Sequence, residues 1–600
     1  MEMKDEFLKR IDHFKSEEAK NKKSYGLISL LRFAAFILAA CFTYLVIKSL
    51  SIFMIFGTVL SYILFIYLLS IHSKISYNLL RIKNMIEVNE KYLKRLDGTW
   101  TSFEDCGIDK VDEEKPYLTD LDILGEKSLF QLINTTKTFF GREKLIAILK
   151  NPDKDINKIK ERQEAVRELG EKLDFTQKIE GEGIINKNTV ENPTQLLDYV
   201  ENLKRAFSSP IAKIISWVVP VITIITSIII VYYKLDRYYG YIGLFFTIHL
   251  LINGIGYAKI SPVLGPIYKR KNDLESYFNI LKLIENEEFK SSYLKELKEK
   301  LIFDGKSANT ILKELTSIVE RIEYTSNIIG YVILSVIFFW DYHRLFEFEN
   351  WKSKYGKYIR EWLDVIGEFE SLSSLSAVFH LNSKLTFPEF SKEQLVFSGK
   401  EIGHPLIDEK TRIYNDVDMT DSIFIITGSN MSGKTTFLRT VGINLVLAYA
   451  GAPVCGKKLT CSVVDIYTSM RITDDLNRGM STFYVELIRM KKMIENIKTK
   501  HPMIFLIDEI FRGTNSNDRI VGAKSVLKSL NEKWVFGLIS THDFELCNLE
   551  YDDKNRIKNY HFSESYEGNK IKFDYKLKKG RSDTTNAKYL MKMIGIDIIE

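Results

Sequence analysis

Four nearly charge-free apolar runs, each of about 20 residues, interrupt an otherwise Lys- and Glu-rich chain of 600 residues, and that length matches the ~30 Å hydrocarbon core of a bilayer. The first two are Leu27–Ile47, with Arg32 near its start, and Ser49–Ile71. Little more than Lys48 separates them, so a chain that crosses a membrane in one run must return in the other as a helical hairpin. The second pair, Ile214–Tyr233 and Tyr238–Tyr257, is divided by Lys234, Leu235, Asp236 and Arg237. Basic residues flank the outer ends of both pairs: Lys20, Lys22 and Lys23, then Lys74, Arg81 and Lys83; later Lys204 and Arg205, then Lys259, Lys269, Arg270 and Lys271. Positive charge marks the cytoplasmic side, so the expectation is a multi-pass protein of the cell membrane with the rest of the chain in the cytoplasm. Buried core helices are shorter and amphipathic. The apolar stretch Asn327–Trp340 is too short to span, which predicts a buried helix there. Only Arg32 and His249 are ionisable within the spans, which argues against a transport pathway.

Composition narrows the class further. With 45% hydrophobic and 27% charged residues and a mean hydropathy of −0.09, the chain is neither disordered nor a disulfide scaffold. A net charge of +6 spread over this length does not by itself identify a nucleic-acid binder. Cys41, Cys106, Cys455, Cys461 and Cys547 are scattered without CxxC spacing, so no zinc site is indicated.

The densest chemical signal lies near the C-terminus. The apolar run Ser422–Thr427 leads into Gly428, Ser429, Asn430, Met431, Ser432, Gly433, Lys434, Thr435 and Thr436, a strand, phosphate loop and helix in GxxxxGK[ST] spacing. Glycines let backbone N–H groups wrap phosphates, the lysine reaches the β and γ phosphates, and the threonine hydroxyl ligates Mg²⁺. A second apolar strand, Met503–Ile507, ends in Asp508 and Glu509. Asp508 is the expected Mg²⁺ partner with Thr435, and Glu509 the residue that polarises the attacking water. A third strand, Trp534–Ile539, runs into Ser540, Thr541 and His542, which makes His542 a candidate γ-phosphate sensor. The cofactors implied are ATP and Mg²⁺, and the activity ATP hydrolysis.

These residues resemble the MutS family of mismatch-repair ATPases, of the ABC-type P-loop class. Thr427–Thr436 reads TGSNMSGKTT and Leu506–Asn515 reads LIDEIFRGTN. Between them, Met480–Leu487 resembles the family's signature loop, and the resemblance implies that Ser481 contacts the γ-phosphate of the opposite subunit in a homodimer. Upstream, Leu121–Thr136, Gly141–Leu145 and Glu161–Leu169 look like the start of the MutS lever, and Glu370–Ala377 with Gly403–Leu406 like its end and the entry to the ATPase domain. The implied architecture is an α/β ABC-type P-loop ATPase domain, an all-α lever and two transmembrane helical hairpins. Its parts are a cytoplasmic segment (1–26), hairpin 1 (27–71), a linker helix (72–114), the lever in two pieces (115–208 and 259–390) around hairpin 2 (209–258), and the ATPase domain (391–600).

The chain also departs from the family. Residues 1–114 hold no mismatch-reading domain with a Phe-x-Glu wedge, and the region near Leu301–Asn309 is too short for the family's DNA clamp. Phe511 and Arg519 stand where the family has glycine, near the expected dimer seam. The family's adenine-stacking residue falls within Arg412–Tyr414, where an arginine plane could serve. Two functions stay open: DNA binding in repair or recombination, with no mismatch preference implied, or a membrane mechanoenzyme or scaffold that binds no DNA.

Overall fold

The computed structural model describes residues 2–49, 51–184, 192–202, 210–269, 271–324, 330–471, 482–511, 514–567 and 570–582. Two long helices open the chain, α1 (Glu2–Lys48) and α2 (Ile52–Leu96), packed along one another as a hairpin. Each outlasts its apolar run, because Lys- and Glu-rich helix formers continue the same helical register into the flanking segments. The C-terminal half of α2 is therefore more than a linker. It packs on α5 (Leu173–Ile184), after α3 (Phe139–Lys150) and α4 (Ile156–Glu171). Asn84 donates to the Gly181 carbonyl at 2.9 Å, and Gln177 to Asn89 at 3.0 Å.

The second hairpin is α6 (Pro210–Tyr232) and α7 (Tyr239–Lys269). Among the described residues, four helices are long and apolar enough to cross a membrane: Met3–Lys48, Ile52–Leu96, Ile211–Tyr232 and Asp236–Lys269. Their outward residues are exposed and apolar, for example Phe53 at 84% and Ile228 at 61%.

The lever resumes with α8 (Lys271–Asn286) and α9 (Ser292–Glu299). A tight hairpin of β1 (Ile302–Phe303) and β2 (Lys306–Ser307) turns the chain into α10 (Ala308–Glu323). The apolar stretch expected as a buried helix differs: residues 331–337 form a π-helical turn whose Val332 and Ile333 are exposed, while residues 327–329 lie outside the described residues. Next come α11 (Trp340–Tyr355) and the buried α12 (Ile359–Ala377). Glu370 of α12, wholly buried, accepts from the Lys137 and Thr138 backbone N–H groups and the Thr138 hydroxyl, tying the two pieces of the lever together. Burial raises its pKa, against the lowering by those hydrogen bonds.

The C-terminal domain opens with an antiparallel pair, β3 (Val396–Ile402) and β4 (Asn415–Thr420). The central sheet has six strands in the order β7–β8–β9–β5–β10–β11. They are β5 (Ile423–Thr427), β7 (Asp465–Ser469), β8 (Met503–Asp508), β9 (Val535–Ser540), β10 (Ile557–His561) and β11 (Lys578–Lys579), with β6 (Lys458–Ser462) in the smaller sheet beside β3. All pairings in the central sheet are parallel except β10–β11. Parallel strands buried on both faces read as unbroken apolar runs, and β5, β8 and β9 are buried at every position. Around them lie α13 (Lys434–Tyr449), α14 (Thr482–Thr499) and α15 (Ser516–Leu530).

Candidate nucleotide site

Register assembles the site. Asp508 pairs with Ser540, and Ser540 with Ile426, so the carboxyl ends of β5, β8 and β9 reach one edge of the sheet, where open α/β folds bind ligands. The loop after β5 contains Gly428 (φ 140°), Met431 (φ 67°) and Gly433 (φ 107°). Gly433 is the N-cap of α13; at its φ an L side chain is strained, and a Cβ would lie 3.1 Å from the Tyr575 ring. The N-terminal end of α13, with its positive dipole end, thus faces the loop.

Lys434, 5% exposed, donates to the Gly428 carbonyl at 2.8 Å and the Ser429 carbonyl at 3.0 Å. Its Nζ is 3.4 Å from His542 Nε2. The Thr435 hydroxyl donates to Asp508 Oδ2 at 2.8 Å, and the Ser540 hydroxyl donates to Asp508 Oδ1. Glu509 sits at φ 55°, a strained conformation for a side chain of its size. Its Oε1 is 2.9 Å from His542 Nε2, which is also 2.8 Å from Asn430 Oδ1. The structure therefore brings Asn430, Lys434, Thr435, Asp508, Glu509 and His542 together. Ser429, Ser432 and Thr436 line the same cleft, Met431 projects outward at 85% exposure, and Ser481 lies outside the described residues.

The cleft has a volume of about 510 Å³, and besides the loop its lining includes the apolar residues Ile402, Ile407, Ile413, Phe562 and Tyr575. His404 also lines it; burial, with Arg439 and Arg412 nearby, pushes its pKa down to about 3, so it is neutral. Of the three candidates for a base-stacking residue, Ile413 lines this cleft. Arg412 does not: it is buried, donating to the Ile407 and Pro405 carbonyls and to Asn382. Local turn geometry consumes its guanidinium, and the arginine-plane expectation is corrected. The two departures from family glycines also resolve. Phe511 is buried against Phe483 and the Gly522 backbone. Arg519 forms a two-pronged pair with Asp543, at 2.8 Å for each bond, and so fixes the loop after His542.

Several residues here carry no signal in a single sequence. Ser429 donates to Glu564 at 2.9 Å, and Tyr575 lines the cleft beside Gly433 from a segment that follows the last parallel strand. Ser540 could have been read from its place directly after an apolar strand, beside the His542 already singled out.

One further contact joins the site to the lever. Asp120, 0% exposed, lies on the short helical turn Tyr117–Asp120. It accepts from the Thr468 hydroxyl (2.7 Å), the Met470 and Arg471 backbone N–H groups (3.2 and 3.1 Å) and Arg489 of α14 (2.8 Å). Asp122 beside it pairs with Arg439 of α13 at 3.2 Å and with Arg471.

Comparison with known families decides the lineage. Residues 117–376 match the model of MutS domain III and residues 424–597 that of MutS domain V. The chain belongs to the MutS family. Relatives named DNA mismatch repair protein MutS include those of Methanosarcina mazei, 29% identical over 268 residues, and Aquifex pyrophilus, 35% over 240 residues. That of Bacillus subtilis is 34% identical over 248 residues. These matches cover 43%, 39% and 39% of this chain, and it spans only 29%, 27% and 28% of the relatives' length. MutS proteins are ATPases linked to DNA repair, and in this chain the stretch that matches MutS domain III contains the pair of long apolar helices α6 and α7.

Proposed function

We propose that the protein is a membrane-anchored MutS-type ATPase, in which two copies close on ATP and Mg²⁺ and the cycle moves the lever. One observation carries the reading: Lys434 Nζ, the Thr435–Asp508 pair and the Glu509–His542–Asn430 chain meet at one sheet edge. The residues fit the implied groups. Thr435 and Asp508 are hard oxygen donors already in contact, the kind of set that Mg²⁺ takes, and the apolar residues in the cleft lining, Ile413 among them, suit a base.

Bound Mg²⁺ would supply charge stabilisation at the phosphate oxygens. Asp508 and the Thr435 hydroxyl would hold it, with Ser540 orienting the carboxylate by donating to its other oxygen. Lys434, now spread over two loop carbonyls, would turn to the β and γ phosphates. Glu509 would orient the attacking water and receive its proton, while His542 holds the Glu509 carboxylate in place and senses the γ-phosphate. Ser481 would reach the nucleotide of the opposite subunit.

Two uses of this cycle are supported. MutS membership and the relatives' name favour work on DNA at the cytoplasmic membrane face, in repair or recombination. The short β1–β2 hairpin in place of a clamp, and the apolar hairpin set between the two pieces of the lever, favour lever-driven movement of membrane helices without DNA. Steady-state ATP hydrolysis by the detergent-solubilised protein, with no DNA, matched duplex and branched DNA across a salt series, separates them. Stimulation that fades as salt rises marks phosphate contacts; indifference to DNA with a response to lipid marks the membrane reading. Glu509→Gln is the blank, with hydrolysis lost and ATP binding kept, and Lys434→Ala should lose binding itself. Turnover surviving Glu509→Gln would remove the assigned base.

A further inference from the structure

We propose that residues 330–339, between lever helices α10 and α11, form a re-entrant segment that enters the bilayer from the cytoplasmic side, stops near its middle and docks there on the second hairpin. The inference rests on the membrane reading of that hairpin.

Depth is the first argument. Tyr232, Tyr233, Tyr238, Tyr239 and Tyr241 are all exposed around the turn of the α6–α7 hairpin, and Tyr257 is exposed toward the other end of α7. Aromatic residues gather at the two membrane interfaces. His249 lies about ten residues along α7 from Tyr239, hence about 15 Å below the turn at 1.5 Å per residue, half of a ~30 Å core. At that level His249 Nδ1 is 2.8 Å from the Val336 carbonyl and its Nε2 is 3.0 Å from Thr223 Oγ1 of α6. Residue 336 therefore reaches mid-depth, and Tyr342 follows the hairpin back toward the cytoplasm by donating to the Ile252 carbonyl at 2.7 Å. Gly256 permits this approach, since a Cβ there would collide with the Tyr342 hydroxyl.

Backbone chemistry is the second. Residues 331–337 form a π-helical turn, and the helix breaks at Phe339, which sits at φ 54°. A broken helix frees carbonyls. In water they would be solvated; in hydrocarbon each must find a partner, at a cost of several kcal/mol otherwise, and irregular backbone survives there only when packed on protein. The Val336 carbonyl faces His249 and Asn253, the latter at 3.5 Å. Polar side chains spent on one main-chain oxygen account for an ionisable residue in an otherwise apolar span without a transport path.

The outer surface is the third. Val332, Ile333 and Phe338 are 37%, 47% and 44% exposed and continue the apolar surface of the hairpin. The segment ends at Trp340, whose Nε1 donates to the Arg321 carbonyl at 2.8 Å and whose face is covered by Arg344 at 4.4 Å.

Depth-dependent fluorescence quenching tests this. In a Cys41→Ser, Cys106→Ser background, where the other three cysteines are buried, an environment-sensitive dye is attached at Ile333→Cys, Phe338→Cys or, as the hairpin control, Ile222→Cys. The full chain is reconstituted in phosphatidylcholine vesicles whose acyl chains are brominated at a deep or a shallow position. The expected result is loss of emission at Ile333→Cys and Phe338→Cys with deep bromines, matching Ile222→Cys, and no loss with aqueous iodide. Iodide quenching at both positions while Ile222→Cys responds to bromolipid overturns the re-entrant segment and leaves the hairpin standing; so does quenching by shallow bromines alone. If Ile222→Cys itself ignores bromolipid, the membrane reading of the hairpin fails, and this inference fails with it.

Discussion

Asp120→Ala separates a buried ionic contact from exposed ones a few ångströms away. Asp120 is wholly buried and accepts four hydrogen bonds, one from Arg489, which is itself 15% exposed. Removing one partner of a buried pair costs about 3–5 kcal/mol, because the remaining charge and donors lose their acceptor without regaining water. At roughly 2–4 °C per kcal/mol for a unit the size of the C-terminal domain, the unfolding midpoint should fall on the order of 10 °C. Arg471, by contrast, pairs with Asp122 from a position half exposed to solvent, and such pairs contribute under about 1 kcal/mol. Tryptophan-monitored thermal unfolding of the detergent-solubilised protein, for wild type, Asp120→Ala, Arg489→Ala, their double variant and Arg471→Ala, gives both the scale and the coupling. The double variant should be far less destabilised than the sum of its singles. Equal small losses for Asp120→Ala and Arg471→Ala would refute the reasoning, since burial would then decide nothing.

Glu370→Ala should destabilise by roughly 3 kcal/mol or more, as three buried donors of residues 137 and 138 lose their acceptor; an unchanged denaturation midpoint counts against the tie between the two lever pieces. His404 gives a pH prediction. Its folded pKa of about 3 lies below the ~6.5 of the unfolded chain, so the unfolded state binds the extra proton between those values. That contribution is full above pH 6.5 and lost as pH falls toward 3, by about 2 kcal/mol at pH 5. His404→Asn removes the titration, so urea midpoints should show wild type losing its advantage between pH 7 and pH 5; a constant gap would contradict the buried neutral histidine. Tyr575→Ala should weaken nucleotide binding about tenfold or more, as the cleft loses an aromatic face on which a base can stack, and equilibrium titration with a fluorescent ATP analogue measures it.

Much of the site was legible because its residues are neighbours in sequence. The spacing from Gly428 to Thr435, and the acids that close an apolar strand at Asp508 and Glu509, follow from local backbone demands. His542 was readable for the same reason, standing two residues past β9. Arg412 misled because a cation beside an expected base site is ambiguous until its hydrogen bonds are known; the Pro405 and Ile407 carbonyls, Asn382 and Cys455 take its donors. Tyr575 and Glu564 gave no local sign, because each is brought to the loop across more than a hundred residues by the sheet's pairing.

The membrane-length runs, their pairing into hairpins and the phosphate-loop spacing were determined by the sequence alone, since each depends on helix rise, strand burial or loop geometry over a few dozen residues at most. Whether an apolar stretch such as 330–339 forms a buried helix or an irregular turn packed on a neighbouring helix pair was decided only in three dimensions. So was the approach of Thr435 to Asp508, 73 positions away. Hydropathy records how much a segment gains by leaving water, whereas which surface receives it depends on long-range packing and on which side chains, here His249 and Asn253, are placed to satisfy its backbone.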